Sequence, residues 1–254
     1  MEQEQRGKTA LVTGASRGIG AATAIALAQS GARRILIHYN SHRSGAEEVA
    51  VAVRRAGAEA EIIQADLGNL EGIHGLVDHL RSSRYPIDIL VNNAGSLVER
   101  ARLLEMSEDL YDRVMNLNVK SAWLITQAVI PQMVERGGGF VIFVSSIAAR
   151  NGGGPGATVY AAAKAAVSSF TKGLAKEFAP RGVRVNAVSP GTVDNYFHQQ
   201  FSTRQMLDSV VAATPAGRLG TNEEVADTIV FLCSHAARFI YGQTIEINGG
   251  MFMI

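Results

Sequence analysis

The sequence predicts an α/β fold, a doubly wound parallel sheet of about seven strands with helices on both faces. Short apolar runs rich in Val, Ile and Leu recur along the 254 residues, as strands buried on both faces require. Segments of helical period separate these runs. The gaps are too long for hairpins and long enough for crossover helices, so right-handed βαβ units are the expected topology.

The apolar runs place strands at 9–12, 34–39, 61–64, 87–91, 140–144, 184–187 and 244–247. Helices fill the intervals, and their ends carry recognisable residues. Gly31 and Gly57 follow helical stretches ending at Ser30 and Ala56, where a left-handed C-terminal cap favours glycine. Ser107-Glu-Asp reads as a helix start, and so does Thr221-Asn-Glu-Glu224, a capping box in which Glu224 reaches back to the Thr221 amide. The acidic residues there are expected to serve helix dipoles and not catalysis.

Composition bounds the rest. Hydrophobic residues make up 47% of the chain, charged residues 19%, and Pro only 6 positions, which describes a compact folded protein. No linker interrupts residues 1–254, so one domain is expected. A formal charge of +1 with interspersed signs gives no electrostatic case for nucleic acid or an anionic membrane as partner. The single cysteine, Cys233, rules out an intrachain disulfide and reads as a small core residue. No apolar run approaches the roughly 18 to 20 residues that cross a bilayer. Met1 to Lys8 has neither an apolar signal region nor a transit-peptide pattern, so a cytoplasmic location is expected. The six histidines are not paired at ligand spacing and no Gly-x-Ser-x-Gly elbow is present, so neither a metal site nor a serine hydrolase is expected.

In such a sheet the ligand sits beyond the carboxyl ends of the strands, where strand order reverses. The first strand runs into Thr13-Gly14-Ala-Ser16-Arg17-Gly18-Ile19-Gly20 and then an apolar helix. Glycines at 14, 18 and 20 permit a tight turn and let backbone amides and a helix N-terminus approach a pyrophosphate. A dinucleotide on a Rossmann-like sheet is the expected ligand. Farther on, Tyr160 and Lys164 stand four residues apart, on one face of a helix. A phenol with a pKa of about 10 is a poor base at neutral pH, and a neighbouring cation favours its ionised form. Alone, that spacing also suits an ordinary packed or solvated pair.

The spacing Thr-Gly-x-x-x-Gly-x-Gly at 13–20 resembles that of the short-chain dehydrogenase/reductase family. The resemblance spans nearly the whole chain: Asp66-Leu67, Asn92-Asn93-Ala94-Gly95, Asn118, Ser146, Tyr160-x-x-x-Lys164 and Pro190-Gly191 follow in the family's order. It implies a catalytic set of Asn118, Ser146, Tyr160 and Lys164. By that resemblance Ser146 binds the substrate oxygen and Tyr160 exchanges its proton. Lys164 lowers the tyrosine pKa and binds the nicotinamide ribose, and Asn118 holds a water in a proton relay. The cofactor contacts it implies are Gly14, Ser16, Arg17, Gly18, Ile19 and Gly20 on the turn, and Asp66 and Leu67 at the adenine. Asn93, Ala94 and Gly95 would lie beside the adenosine ribose, Tyr160 and Lys164 at the reacting end, and Pro190, Gly191 and Val193 at the carboxamide.

The end of the second strand reads His38-Tyr39-Asn40-Ser41-His42-Arg43, with no carboxylate to accept from a ribose 2′-hydroxyl. Asn40 and Ser41 offer hydrogen bonds, and Arg17, with Arg43 as a second candidate, offers a charged fork, so NADPH is expected over NAD. Asn195 stands where the family often has threonine, and the stretch from Ser146 to Tyr160 is one residue longer than the commonest spacing. Residues 192–215 resemble the family's substrate lid. The pattern is closest to 3-oxoacyl-carrier-protein reductases, which implies a small carbonyl substrate, free or acyl-carrier-bound. Arg102, Arg136 and Arg150 are the candidates for an acidic carrier to meet. A sugar or secondary-alcohol dehydrogenase, or an inactive nucleotide sensor, is the alternative. An apolar terminus of Met251, Phe252 and Ile254, together with the family's habit, predicts a homotetramer.

Overall fold

A computed structural model describes residues 4–253; Ile254 and the first three residues, on which parts of the terminal readings fall, lie outside the described residues. The chain alternates β1 (Thr9–Val12), α1 (Gly18–Gln29), β2 (Arg34–Tyr39), α2 (Arg43–Arg55), β3 (Glu59–Gln64), α3 (Leu70–Ser82) and β4 (Ile89–Asn92). Helices α4 (Glu108–Met115) and α5 (Ser121–Glu135) follow, joined through a π-helical turn, Asn116–Lys120. The second half runs β5 (Gly139–Val144), α6 (Ala148–Asn151), α7 (Thr158–Phe178), β6 (Val183–Pro190), α8 (Tyr196–Phe201), α9 (Arg204–Ala213), α10 (Asn222–Leu232) and β7 (Thr244–Ile247).

The strands form one seven-stranded sheet in the order β3-β2-β1-β4-β5-β6-β7, every pair parallel. Strand order reverses between β1 and β4, which opens a crevice at their carboxyl ends. Side chains of the strands alternate between two cores. Ala10, Val12, Ile35, Ile37, Ile89 and Val91 face α1, α2 and α10, while Leu11, Leu36, Leu90, Val141 and Phe143 face α3, α5 and α7. Both faces of the sheet are therefore dry, and its polar ends are the place left for chemistry.

The caps expected from sequence form. Gly31 and Gly57 have φ of +94° and +93°, Ser107 Oγ accepts from the Leu110 amide at the start of α4, and Thr221 and Glu224 close a reciprocal capping box on α10. Cys233 is buried in the core, and burial pushes its thiol up to about 12. Among the described residues no helix is long and apolar enough to cross a membrane.

Candidate active site

A continuous groove of about 810 Å³ runs along the carboxyl edge of the sheet from the β2 end to α8 and α9. The glycine-rich turn forms its floor. Thr13 Oγ1 accepts from the Asn93 and Ala94 amides at 3.0 Å each, and Asn93 Nδ2 donates to the Thr13 and Gly14 carbonyls at 2.8 and 3.0 Å. A Cβ at Gly20 would lie 2.4 Å from the Gly14 carbonyl oxygen, so only glycine lets the helix start pack this close to the turn. Helix α1 has no side-chain cap at Arg17, which leaves its first-turn amides without a protein acceptor of that kind. That arrangement suits a pyrophosphate.

At the β2 end, Asn40, Ser41 and His42 line the groove. Among the lining residues the one carboxylate is Asp66, held by the Gly68 amide at 2.9 Å, by Asn69 Nδ2 at 3.0 Å and by Asn40 Nδ2 at 3.3 Å. Arg43 departs from expectation. It turns back on its own helix to Glu47, Nε to Oε1 2.8 Å, stays largely exposed and does not face the groove. Arg17 does line it, with its guanidinium carbon 3.9 Å from the centroid of the Tyr196 ring, a cation–π contact between the turn and α8.

At the reacting end the structure separates the two serines after β5. Ser145 Oγ is buried and shared between the Lys164 carbonyl (2.9 Å) and Ser168 Oγ (2.8 Å), a structural contact. Ser146 and Tyr160 both line this end of the groove, and Ser146 Oγ accepts from the Ala148 amide at 3.1 Å. Lys164 is buried, its Nζ donating to the Val144 carbonyl at 2.8 Å. Asn118 lies in the π-helical turn, buried, with Nδ2 donating to the Ser96 and Val114 carbonyls at 2.9 and 2.8 Å and Oδ1 accepting from the Ser96 amide at 3.2 Å. Inserted turns of this kind are frequent at functional sites. Gly95 separates the two: a Cβ there would stand 2.7 Å from both Asn118 Oδ1 and Lys164 Nζ. All four residues of the expected catalytic set thus gather around one end of the groove.

Burial dominates the electrostatics of Tyr160 and Lys164. Burial, the leading influence, pushes the Tyr160 phenol up to about 12 against the smaller lowering from Ser146, and it pulls the Lys164 ammonium down to about 8. Lys164 Nζ stands 5.6 Å from the centre of the Tyr160 ring. Taking both groups out of water disfavours both charges, which the sequence spacing alone does not reveal.

The far wall is built largely from the segment expected to be a substrate lid. Phe197 of α8 lies 5.7 Å from the Tyr160 ring and 5.1 Å from Phe201, centroid to centroid. Arg100 ties this wall together: its Nε donates to the Phe201 carbonyl at 2.9 Å and its Nη1 to the Pro155 carbonyl at 2.8 Å. Val98, also lining the groove, has φ of +63°, a left-handed conformation strained for a β-branched residue, and its amide donates to Ser96 Oγ at 2.9 Å. Asn195 caps α8 through the Phe197 amide (3.1 Å) and donates to Asn222 (3.1 Å), so both ends of its amide are used within the protein and not reserved for a cofactor. Met251 folds against the groove and is only partly exposed, unlike the bare apolar end expected. The three arginines expected to meet a carrier protein do not converge. Arg136 pairs with Asp88 at the opposite edge of the sheet, Arg150 is bound to Glu246 at 2.8 Å, and Arg102 is exposed.

A family model described as "Enoyl-(Acyl carrier protein) reductase" matches residues 14–252. The chain belongs to the short-chain dehydrogenase/reductase family. It is an oxidoreductase of that family on a Rossmann-like α/β fold. Among curated relatives it is similar to a 3-oxoacyl-[acyl-carrier-protein] reductase of Synechocystis sp., 40% identical with 97% of each chain covered. Among solved structures it is similar to a putative NAD(P)-dependent gluconate 5-dehydrogenase from Beutenbergia cavernae with bound NADP, at 35% identity, TM-score 0.91 and 99% of each chain. It is also similar to a 7α-hydroxysteroid dehydrogenase in complex with NADH and 7-oxo glycochenodeoxycholic acid, at 31% identity, TM-score 0.90, covering 98% of this chain and 96% of that one. The two solved structures thus hold different nicotinamide dinucleotides, NADP in one and NADH in the other, on one scaffold.

Proposed function

We propose that this short-chain dehydrogenase/reductase is an NADPH-preferring carbonyl reductase that converts a ketone or β-ketoacyl group to a secondary alcohol. The observation that carries this reading is the meeting of Ser146 and Tyr160 on the groove wall, with buried Lys164 and Asn118 around Gly95 beside them and the glycine-rich turn at the other end. The bound dinucleotide supplies the hydride. Gly14, Ser16, Arg17, Gly18, Ile19 and Gly20 hold its diphosphate, and Asp66 and Leu67 its adenine. Asn93, Ala94 and Gly95 line the ribose side, and Pro190, Gly191 and Val193 flank the carboxamide.

The chain's own groups then act on the substrate oxygen. Ser146 donates a hydrogen bond where negative charge develops. Tyr160, kept protonated by burial, gives its proton to the forming alkoxide. Lys164, with a pKa near 8, binds ribose hydroxyls and sits beside Asn118, placed to resupply that proton through water. Residues 192–215 act as a lid over the substrate, held by Arg17 on Tyr196 and Arg100 on Phe201. Asn40, Ser41 and Arg17, with no acidic residue among 38–43, favour a 2′-phosphate.

A sugar or sterol-type dehydrogenase is the second reading, favoured by the aromatic wall of Phe197 and Phe201, which suits a flat ring as well as an acyl chain. Exposed Leu103, Leu104, Trp123 and Phe239 support assembly into a homotetramer. The test is a spectrophotometric panel of β-ketoacyl thioesters, enoyl thioesters, cyclic ketones and keto-sugar acids, each with NADPH and NADH. A β-ketoacyl thioester turned over with NADPH is the expected result. A tenfold or larger advantage in kcat/KM for NADH refutes the cofactor preference, and absence of any turnover with intact dinucleotide binding identifies a sensor.

A further inference from the structure

His38 is buried at the carboxyl end of β2, its residue 2% exposed, and both of its ring nitrogens are engaged. Nδ1 accepts from the Gly14 amide at 3.0 Å, and Nε2 lies 3.1 Å from the Ala65 carbonyl. These neighbours fix the tautomer. An amide only donates and a carbonyl only accepts, so Nδ1 is bare and Nε2 carries the hydrogen. The main chain of the same residue takes the next amide of the turn, Ala15 N to His38 O at 2.8 Å. One residue of β2 therefore grips two successive amides of the glycine-rich turn, while Asn93 grips the carbonyls of Thr13 and Gly14 from the β4 side.

We propose that His38 is a positioning residue for the dinucleotide site, holding the glycine-rich turn in its binding shape through the Gly14 amide. The inference rests on the reading of the groove as a nicotinamide dinucleotide site. With the amides of Gly14 and Ala15 already committed to His38, the diphosphate is left to the amides at the start of α1, whose approach depends on the turn staying where His38 and Asn93 clamp it. Without an acceptor at Nδ1, the Gly14 amide relaxes toward water in the open groove. Binding of the dinucleotide must then expel that water and restore the turn, so the loss is felt in the affinity for the cofactor. The neutral ring is consistent with its surroundings. Burial pulls its pKa down to about 4, against smaller opposing influences from the Ala65 carbonyl and the Asp66 carboxylate, the charged group felt at the ring.

The experiment compares His38→Asn with His38→Leu. Asparagine places Oδ1 near the position of Nδ1 and keeps the acceptor, whereas leucine fills space without one. Calorimetry with NADPH and with NADH is expected to show the Asn variant within about threefold of wild type. The Leu variant should be at least tenfold weaker, with its KM for the cofactor raised and its KM for the carbonyl compound little changed. Equal affinities for the two variants overturn the proposal, as does an Asn variant as weak as the Leu variant. If the Leu variant does not fold, nitrogen NMR of histidine-labelled wild type decides the point. An Nε2–H ring that does not titrate between pH 5 and 8 is expected, and an Nδ1–H ring or titration near pH 6.5 overturns the proposal. Wild-type protein that binds neither dinucleotide would sink the site reading and this inference with it; wild-type binding with indifferent variants would sink the inference alone.

Discussion

Gly95→Ala is the most discriminating single change in the site. The new Cβ would arrive 2.7 Å from Lys164 Nζ and 2.7 Å from Asn118 Oδ1, where ordinary contact begins near 3.4 Å. The lysine is the far end of a flexible chain and yields first, losing its 2.8 Å bond to the Val144 carbonyl. Asn118 is buried and tied by three hydrogen bonds to Ser96 and Val114, so it cannot rotate away without orphaning them. A hydrogen bond to a charged group contributes about 1.5–3 kcal/mol, and a misplaced catalytic group adds a further loss. The sum, about 2–4 kcal/mol at the transition state, corresponds to a fall in kcat of roughly 30- to 1000-fold. Steady-state kinetics with saturating NADPH measures it, beside a melting curve to show that the variant is folded. The control is Gly75→Ala in α3, where an added Cβ meets nothing within 4 Å. It removes backbone freedom from the unfolded chain and should stabilise by about 0.5–1 kcal/mol. A Gly95→Ala enzyme within threefold of wild-type kcat would refute the claim that Gly95 spaces the lysine and the asparagine.

Other consequences are equally direct. Tyr160→Phe should reduce turnover by at least about 100-fold while leaving the Kd for NADPH within a few-fold, since the phenol transfers a proton and the ring remains; stopped-flow and calorimetry separate the two. Lys164, whose folded pKa near 8 lies below its unfolded value of 10.5, binds fewer protons folded than unfolded in that window. Global stability should therefore rise between about pH 8 and 10.5 until Tyr160 reverses the trend, because its phenol, raised to about 12, binds more protons folded than unfolded above pH 10. Denaturant titrations of wild type and Lys164→Met give the lysine part as a difference, and a wild-type curve parallel to that of the variant would disprove it. On the acid side His38 and His198, both pulled down to about 4 with burial as the leading cause, contribute stability above pH 6.5 that is lost as pH falls toward 4. His38→Asn should flatten that decline when unfolding is followed by circular dichroism, and an unchanged slope would count against a buried neutral ring.

Much of the fold was legible because buried parallel strands write themselves as apolar runs. Strands β1, β2 and β7 fall where the sequence places them. Strand β6 runs past the expected 184–187 to Pro190, carrying Ser189 fully buried, while Asn186 within the expected stretch is buried and bonded to Ile240 and Gln243. Strand β3 begins earlier than its apolar residues, at Glu59 on the sheet edge, where that side chain pairs with Arg34. The set Asn118, Ser146, Tyr160 and Lys164 came from the family resemblance; only Ser146 stands just after a strand, and the other three stand on α7 and on the π-helical turn. What the motifs left out was long-range. His38, Arg100 and Ser96 work through bonds to distant backbone groups, which no local spacing announces. The burial that dominates the electrostatics of Tyr160 and Lys164 is likewise not announced by their spacing.

The π-helical turn at Asn116–Lys120 makes α4 and α5 one rod with a phase slip in the middle. Successive residues of an α-helix advance by about 100°, so one surplus residue rotates everything after it by that angle relative to everything before. Val114 looks inward on one side of the slip, and Ala122, Ile125 and Val129 look inward on the other. Deleting Val119 would heal the helix into regular winding and force a choice: keep the α5 face against the sheet and swing Asn118 off Gly95, or keep Asn118 and turn the α5 core face toward water. The surplus residue is thus the joint that lets a single rod serve the core at one end and aim an amide into the groove at the other.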